Sequence, residues 1–168
     1  GMRHTRNYFE KRGAHFRFNR HFTEVEENIY LTGEIPRITG YEKGDIRHLT
    51  HTNGQILPDT VPDEQALVVR TKHGLTVSLG CAHSGLINTL EYILDHFTGE
   101  KLHTIIGGTH LGFLKEEQLN STISHLRQHD FKMLGMSHCT GLEAAARLYH
   151  EFKGQCSFAT AGTSFVIA

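Results

Sequence analysis

Residues 74–90 read GLTVSLGCAHSGLINTL. An aliphatic, β-branched run ends at Leu79, a loop with Gly80 and His83 follows, and an amphipathic stretch begins at Ser84. This is the pattern of a strand, a short loop and a helix. The same phrase returns as GGTH at 107–110 and GMSHC at 135–139, so that His83, His110 and His138 are spaced by 27 and then 28 residues.

Working outward, ALVVRTKHGLTVSLG at 66–80 reads as a hairpin hinged at KHG. SGLINTLEYILDHF at 84–97 puts Leu86, Leu90, Ile93, Leu94 and Phe97 on one helical face, with Ser84 as the expected N-cap and Gly99 as the stop. HTIIGG at 103–108 is a short buried strand, and KEEQLNSTISHLRQH at 115–129 a helix with Leu119, Ile123 and Leu126 inward. FKMLGMSH at 131–138 is another strand, GLEAAARLYHEF at 141–152 another helix with Leu142, Ala145, Leu148 and Phe152 inward, and SFATAGTSFVIA at 157–168 closes the chain as one or two strands. Three successive strand–helix units predict an α/β fold with a mostly parallel sheet and right-handed crossovers. Sites in such sheets gather beyond the carboxyl ends of the strands. His83, His110 and His138 are therefore expected to share one crevice.

The first 65 residues are less patterned. Residues 8–22 read as a solvated amphipathic segment, and NIYLTGEIPR at 28–37 as a short strand ended by Gly33 and Pro36. Residues 39–64 read as loop, with TNGQ at 52–55 a turn. In HLTH, His48 and His51 read as surface histidines. The 168 residues make one domain, with an irregular part at 1–65 and a βαβαβα unit with closing strands at 66–168.

Hydrophobic residues are 38% of the chain, charged residues 21%, and the net charge is −1, so there is no basic bias toward nucleic acid. No apolar run reaches the roughly 20 residues of a membrane span, and GMRHTRNYFEKRG at 1–13 has no signal-peptide h-region, which predicts a cytoplasmic protein. Gly1 before Met2 reads as a tag-cleavage scar. Three cysteines, Cys81, Cys139 and Cys156, are an odd number for that setting and predict free thiols or metal ligands.

Fourteen histidines are the unusual feature. Neutral imidazoles, joined by a thiolate such as Cys81, suit zinc, iron or manganese. Such a metal would support hydrolysis by activating water. Gly108 allows close backbone approach, Thr109 and Thr140 offer hydroxyls, and Gly141 opens a helix. With Cys139 these residues are the expected substrate or anion contacts. No residue stands out as a general base. Glu34 is the nearest candidate, Asp63 and Glu64 read as loop terminators, and Arg37 as the partner of a surface acid. Neither Ser84 nor Cys139 sits in a nucleophile-triad pattern.

TGEIPR (32–37), DEQALVV (63–69), GLTVSLGCAHSGLINTL (74–90), IIGGTHL (105–111) and HCTG (138–141) carry a resemblance. In this order they resemble a branch of the metallo-β-lactamase superfamily that includes the dihydropterin–ribofuranosylaminobenzene 5′-phosphate synthases. The resemblance implies an αββα sandwich with a metal site at one edge of its sheets. It implies that His83, with Cys81, takes the bridging-ligand place, that His138 is the last metal histidine, and that His110 is a ligand or substrate contact. The superfamily's His-x-His-x-Asp-His motif is absent from the sequence. The resemblance thus covers the C-terminal part of the fold. It implies an incomplete centre and an apolar sheet face covered by a second copy or a separate N-terminal half. Three functions fit: a metal-dependent hydrolase acting on an ester, lactone or phosphoester; a non-catalytic half-fold for binding or oligomerisation; and a metal-free binder of a phosphorylated ligand.

Overall fold

Val68, Val77, Ile105 and Leu134 stand in register across four neighbouring strands, and each is fully buried. Each such side chain contributes about 1.5–3 kcal/mol by leaving water. This row is the floor of the core in a computed structural model that describes residues 3–167. Gly1 and Met2, read as a tag scar and natural start, and Ala168, the last residue of the stretch expected to be strand, lie outside the described residues.

The row belongs to a seven-stranded sheet ordered β1-β2-β5-β6-β7-β8-β9. Its strands are β1 (Thr23–Glu26), β2 (Ile29–Leu31), β5 (Leu67–Thr71), β6 (Gly74–Ser78), β7 (Leu102–Gly107), β8 (Met133–Met136) and β9 (Cys156–Phe158). The sheet is half parallel. β6, β7, β8 and β9 pair in parallel as the strand–helix repeat predicts, while β1, β2, β5 and β6 pair antiparallel.

Helices α2 (Leu86–His96), α3 (Glu116–Leu126) and α4 (Leu142–Glu151) fill the crossovers. Their apolar stripes, including Leu86, Leu90, Ile93, Ile123, Leu126 and Leu148, join the same buried cluster as the central row. The predicted faces of α2 and α3 are these stripes; in α4, Ala145, Leu148 and Phe152 are inward as expected, whereas Leu142, in the first turn, is 80% exposed.

The opposite sheet face is more open. Leu67, Ser78, Ile106 and Gly135 form its row, with Leu67 exposed and Ile106 half-buried. The tail crosses here, with Phe165 and Ala159 against Gly135. A sheet with helices on one face is half of a four-layer sandwich.

Two segments differ from expectation. The stretch 39–64 contains a hairpin, β3 (Leu49–Thr52) and β4 (Gln55–Pro58), turned at Asn53 and Gly54 with φ of 52° and 78°. Two left-handed residues in Asn-Gly make the turn that hairpins favour. Neither strand has a buried residue, so no alternating pattern marks them in the sequence. Within the N-terminal arm a short helix, α1 (Arg6–Glu10), starts at a Thr5 cap and buries nothing.

Candidate metal centre

Two loop clasps position His83. The Glu64 carboxylate accepts the backbone N–H of His83 at 2.6 Å and of Ser84 at 2.7 Å. Arg37 donates from Nη2 to the His83 carbonyl at 3.1 Å and from Nη1 to the Thr60 carbonyl at 3.0 Å. Glu64 is thus a buried clamp rather than a loop terminator, and Arg37 holds carbonyls rather than a surface acid. Between these contacts Ala82 takes a left-handed φ of 55°.

The expected cap on α2 is replaced. Gly85, at φ 108°, starts the helix, and the buried Glu42 carboxylate accepts the amides of Ile87 at 3.0 Å and Asn88 at 2.7 Å. Burial pushes the Glu42 carboxyl up, against the pull of those amides. A helix N-terminus that could receive an anion is here filled by the chain's own carboxylate.

His110 closes the site from the next loop. It is buried, sits in the left-handed region at φ 55°, and its Nε2 lies 3.0 Å from Asp45 Oδ2. With that nitrogen donating to the carboxylate, Nδ1 carries the lone pair. Asp45 also accepts from Arg47 Nε at 2.8 and 3.0 Å and from the Arg47 amide at 2.9 Å. The Arg47 guanidinium holds the Asp45 carboxyl well below the usual carboxylate range, against its burial.

His48, read from the sequence as a surface residue, completes the group. Its ring centroid is 4.7 Å from that of His83 and 5.4 Å from that of His110, and the latter two are 4.5 Å apart. Each histidine offers a ligand atom within 4.8 Å of the others. Nδ1 of His83 and Nδ1 of His110 are buried without a hydrogen-bond partner. Burial pushes the His83 imidazole down; Glu64 pulls it up, neighbouring His110 and His48 push it down, and Asp45 pulls it up. The net shift favours the neutral, metal-binding form. Three imidazoles, two with orphaned buried Nδ1 atoms and one braced by a carboxylate, fit a divalent transition metal. The group opens into a cleft of about 350 Å³ lined by Arg47, His48, Leu49, Asp59, Val61 and His83.

The three predicted histidines fall in two groups of potential ligands, His83 and His110 with His48, and His138 with Cys81 and Cys139. His138 stands apart, with Nε2 3.1 Å from Cys81 Sγ and Nδ1 3.0 Å from Ser137 Oγ. It lies with Cys81 and Cys139, whose ligand atoms fall within 4.8 Å of one another. The tight turn His138–Thr140 after β8 sets His138 beside Cys81, which follows β6. The His110 backbone N–H donates to Cys139 Sγ at 3.3 Å.

The predicted anion contacts are largely turned inward. Thr109 donates from its amide to Thr140 Oγ1 at 3.3 Å, the two hydroxyls lie 3.1 Å apart, and both residues are buried. At Gly108 a Cβ would stand 2.7 Å from His138 Cε1 and 2.9 Å from the Gly80 carbonyl. At Gly112 it would stand 2.7 Å from the Gly141 Cα, so the loops after β7 and β8 touch backbone to backbone. Glu34 lies on the surface near Arg20, 3.5 Å away, far from general-base duty.

No protein-family profile matches this chain. It is 31% identical over 147 residues to a 7,8-dihydropterin-6-methyl-4-(beta-D-ribofuranosyl)-aminobenzene-5'-phosphate synthase of Methanocaldococcus jannaschii, covering 86% of this chain and 50% of that protein. An uncharacterized protein of the same organism is 31% identical over 128 residues, covering 74% of this chain and 45% of that protein. A solved structure of a metal-dependent hydrolase of the beta-lactamase superfamily superposes with a TM-score of 0.77 at 29% identity, covering 92% of this chain and 59% of that one. The chain spans about half the length of the curated relatives it matches. A mixed sheet layered with helices, the ordered motifs and these likenesses agree: the chain carries part of the metallo-β-lactamase fold and is similar to proteins of that superfamily.

Proposed function

We propose that His48, His83 and His110 form a metal centre and that the chain acts as a metal-dependent hydrolase on an ester, lactone or phosphoester. The observation that carries this reading is the pair of buried, unpartnered Nδ1 atoms on His83 and His110. Buried polar atoms without partners are costly unless something binds them. Zinc, iron or manganese bound there would supply activation of water and polarisation of the scissile bond.

The chain's own residues do the positioning. Asp45 fixes the His110 tautomer, and Glu64 and Arg37 hold the His83 loop. Arg47, at the mouth of the cleft and stacked 4.7 Å over Phe113, offers positive charge to an anionic substrate group. A second reading is favoured by the similar synthase: the same centre serving a synthase reaction on a phosphate-bearing substrate.

The half-open sheet face, with Leu67 exposed and Ile106 half-buried, supports a second layer packed against it. No helix among the described residues is long and apolar enough to cross a membrane.

Metal analysis tests the centre. The purified chain is expected to bind zinc, iron or manganese stoichiometrically, and His83→Ala and His110→Ala to lose that ion while staying folded. Metal content unchanged in both variants overturns the proposal. Bound metal without turnover of ester, lactone or phosphoester probes supports the non-catalytic binding module instead.

A further inference from the structure

Arg47 lines two depressions. One is the histidine cleft; the other is a larger cavity of about 630 Å³ between residues 40–47, the tight turn Leu111–Phe113 and the first turns of α3. Its walls are held from behind. The Glu42 carboxylate ties residues 40–47 to the α2 amides, Asp45 ties them to His110, and the Tyr41 ring packs 5.1 Å from that of His125. Arg47 closes one side, 4.7 Å over the Phe113 ring. We propose that this cavity is a binding site for a small organic anion with an apolar body.

The apolar body is called for by side chains that the core does not use. Ile46 stands 89% exposed between Asp45 and Arg47, and Phe113 is 52% exposed; both line the cavity, with half-buried Tyr41 and Leu114 beside them. A preformed concave site with apolar walls and a few polar groups is where small ligands bind, in volumes of roughly 300–1,000 Å³. The charge is called for by the rim. Lys43 and Lys115 line it together with Arg47, and among the described residues neither lysine has a carboxylate within 4.0 Å. The carboxylates at the cavity are Asp45, held by Arg47 and His110, and Glu117 on the exposed side of α3. Two spare ammonium groups over a low-dielectric wall favour a ligand that carries negative charge. The site needs no metal. Because it shares Arg47 with the histidine cleft, it also sets the class of substrate, an amphipathic anion, a consequence that rests on the hydrolase reading above.

The probe is 1-anilinonaphthalene-8-sulfonate, an aromatic anion whose fluorescence rises when it leaves water. The full chain is titrated with it in chelator and again with zinc. The expected result is saturable binding of one equivalent in both. Ile46→Asp, at a surface position, is expected to weaken it at least about tenfold. Lys43→Glu combined with Lys115→Glu is expected to weaken the sulfonate severalfold and to leave the neutral N-phenyl-1-naphthylamine unaffected. Leu142→Ser, which removes an equally exposed apolar side chain elsewhere, is expected to change nothing. Thermal unfolding of each variant confirms that it is folded. Binding that never saturates, an Ile46→Asp affinity equal to that of the unaltered chain, loss of binding in Leu142→Ser, or a double lysine variant indifferent to the probe's charge overturns the proposal. Saturable binding in chelator, lost in Ile46→Asp, beside a chain that takes up no metal upholds this site and sinks the three-imidazole centre. Stoichiometric metal without probe binding does the reverse, so the two failures are told apart.

Discussion

The Asp45 carboxylate accepts a hydrogen bond from His110 Nε2 at 3.0 Å across 65 positions of sequence. Both side chains are nearly inaccessible, at 4% and 7% exposure. Carboxylate braces of this kind orient a metal-binding ring and raise its basicity. Asp45→Asn is expected to weaken metal binding at His48, His83 and His110 by about 10–100-fold, measured by competition with a chelating dye.

The same carboxylate sets an acid limit. Its folded pKa is depressed, chiefly by Arg47, so its stabilisation is present above the unfolded value of about 3.9 and is lost as pH falls below it. Urea unfolding from pH 6 to pH 3 is expected to show a steeper loss of stability for the unaltered chain than for Asp45→Asn. Parallel curves would refute this.

Glu42 titrates in the opposite sense. Burial raises its pKa, so stability declines as pH rises from its unfolded value of about 4.3 through the folded one. Glu42→Ala removes that decline but strands the amides of Ile87 and Asn88. The net cost at neutral pH is expected to be about 1–3 kcal/mol, or roughly 2–4 °C in Tm for each kcal/mol in a domain of this size. Thermal unfolding by circular dichroism reads it.

Gly108 tolerates no side chain. Alanine there meets His138 and the Gly80 backbone at 2.7 and 2.9 Å, and the second of these cannot swing aside. Gly108→Ala is expected to cost about 1–3 kcal/mol and to separate Cys81 from His138. Denaturant unfolding together with cysteine alkylation checks both.

Thiol reactivity divides by burial. Burial pushes the Cys139 thiol up to about 12 and the Cys156 thiol up to about 11, so both stay protonated near pH 8. Iodoacetamide under native, metal-free conditions is expected to label Cys81 first, with the other two reacting only after unfolding. Peptide mapping identifies the order.

How much of this was legible in the sequence depends on burial. Helices α2, α3 and α4 and strands β5 to β8 face the core, so their periodicity announces them. The hairpin of β3 and β4 faces no core, and the strands leave no apolar signature. The loops after β6 and β7 were marked by Gly80, His83, Gly108 and His110, yet the partners of those histidines were not. Asp45 and His48 lie in a polar stretch, and only three-dimensional folding brings DIRH at 45–48 over the strand ends. The one local signal was a carboxylate three residues before a histidine. Equal spacing of His83, His110 and His138 was a true reading of the repeat but a poor guide to convergence, because the turn after β8 carries His138 toward sulfur rather than nitrogen.

Gly112 and Gly141 press Cα to Cα where two loops cross. With no side chain between them to yield, a displacement of the loop bearing His110 is passed to the loop bearing His138, so a change at the end of β7 reaches the end of β8 through backbone alone.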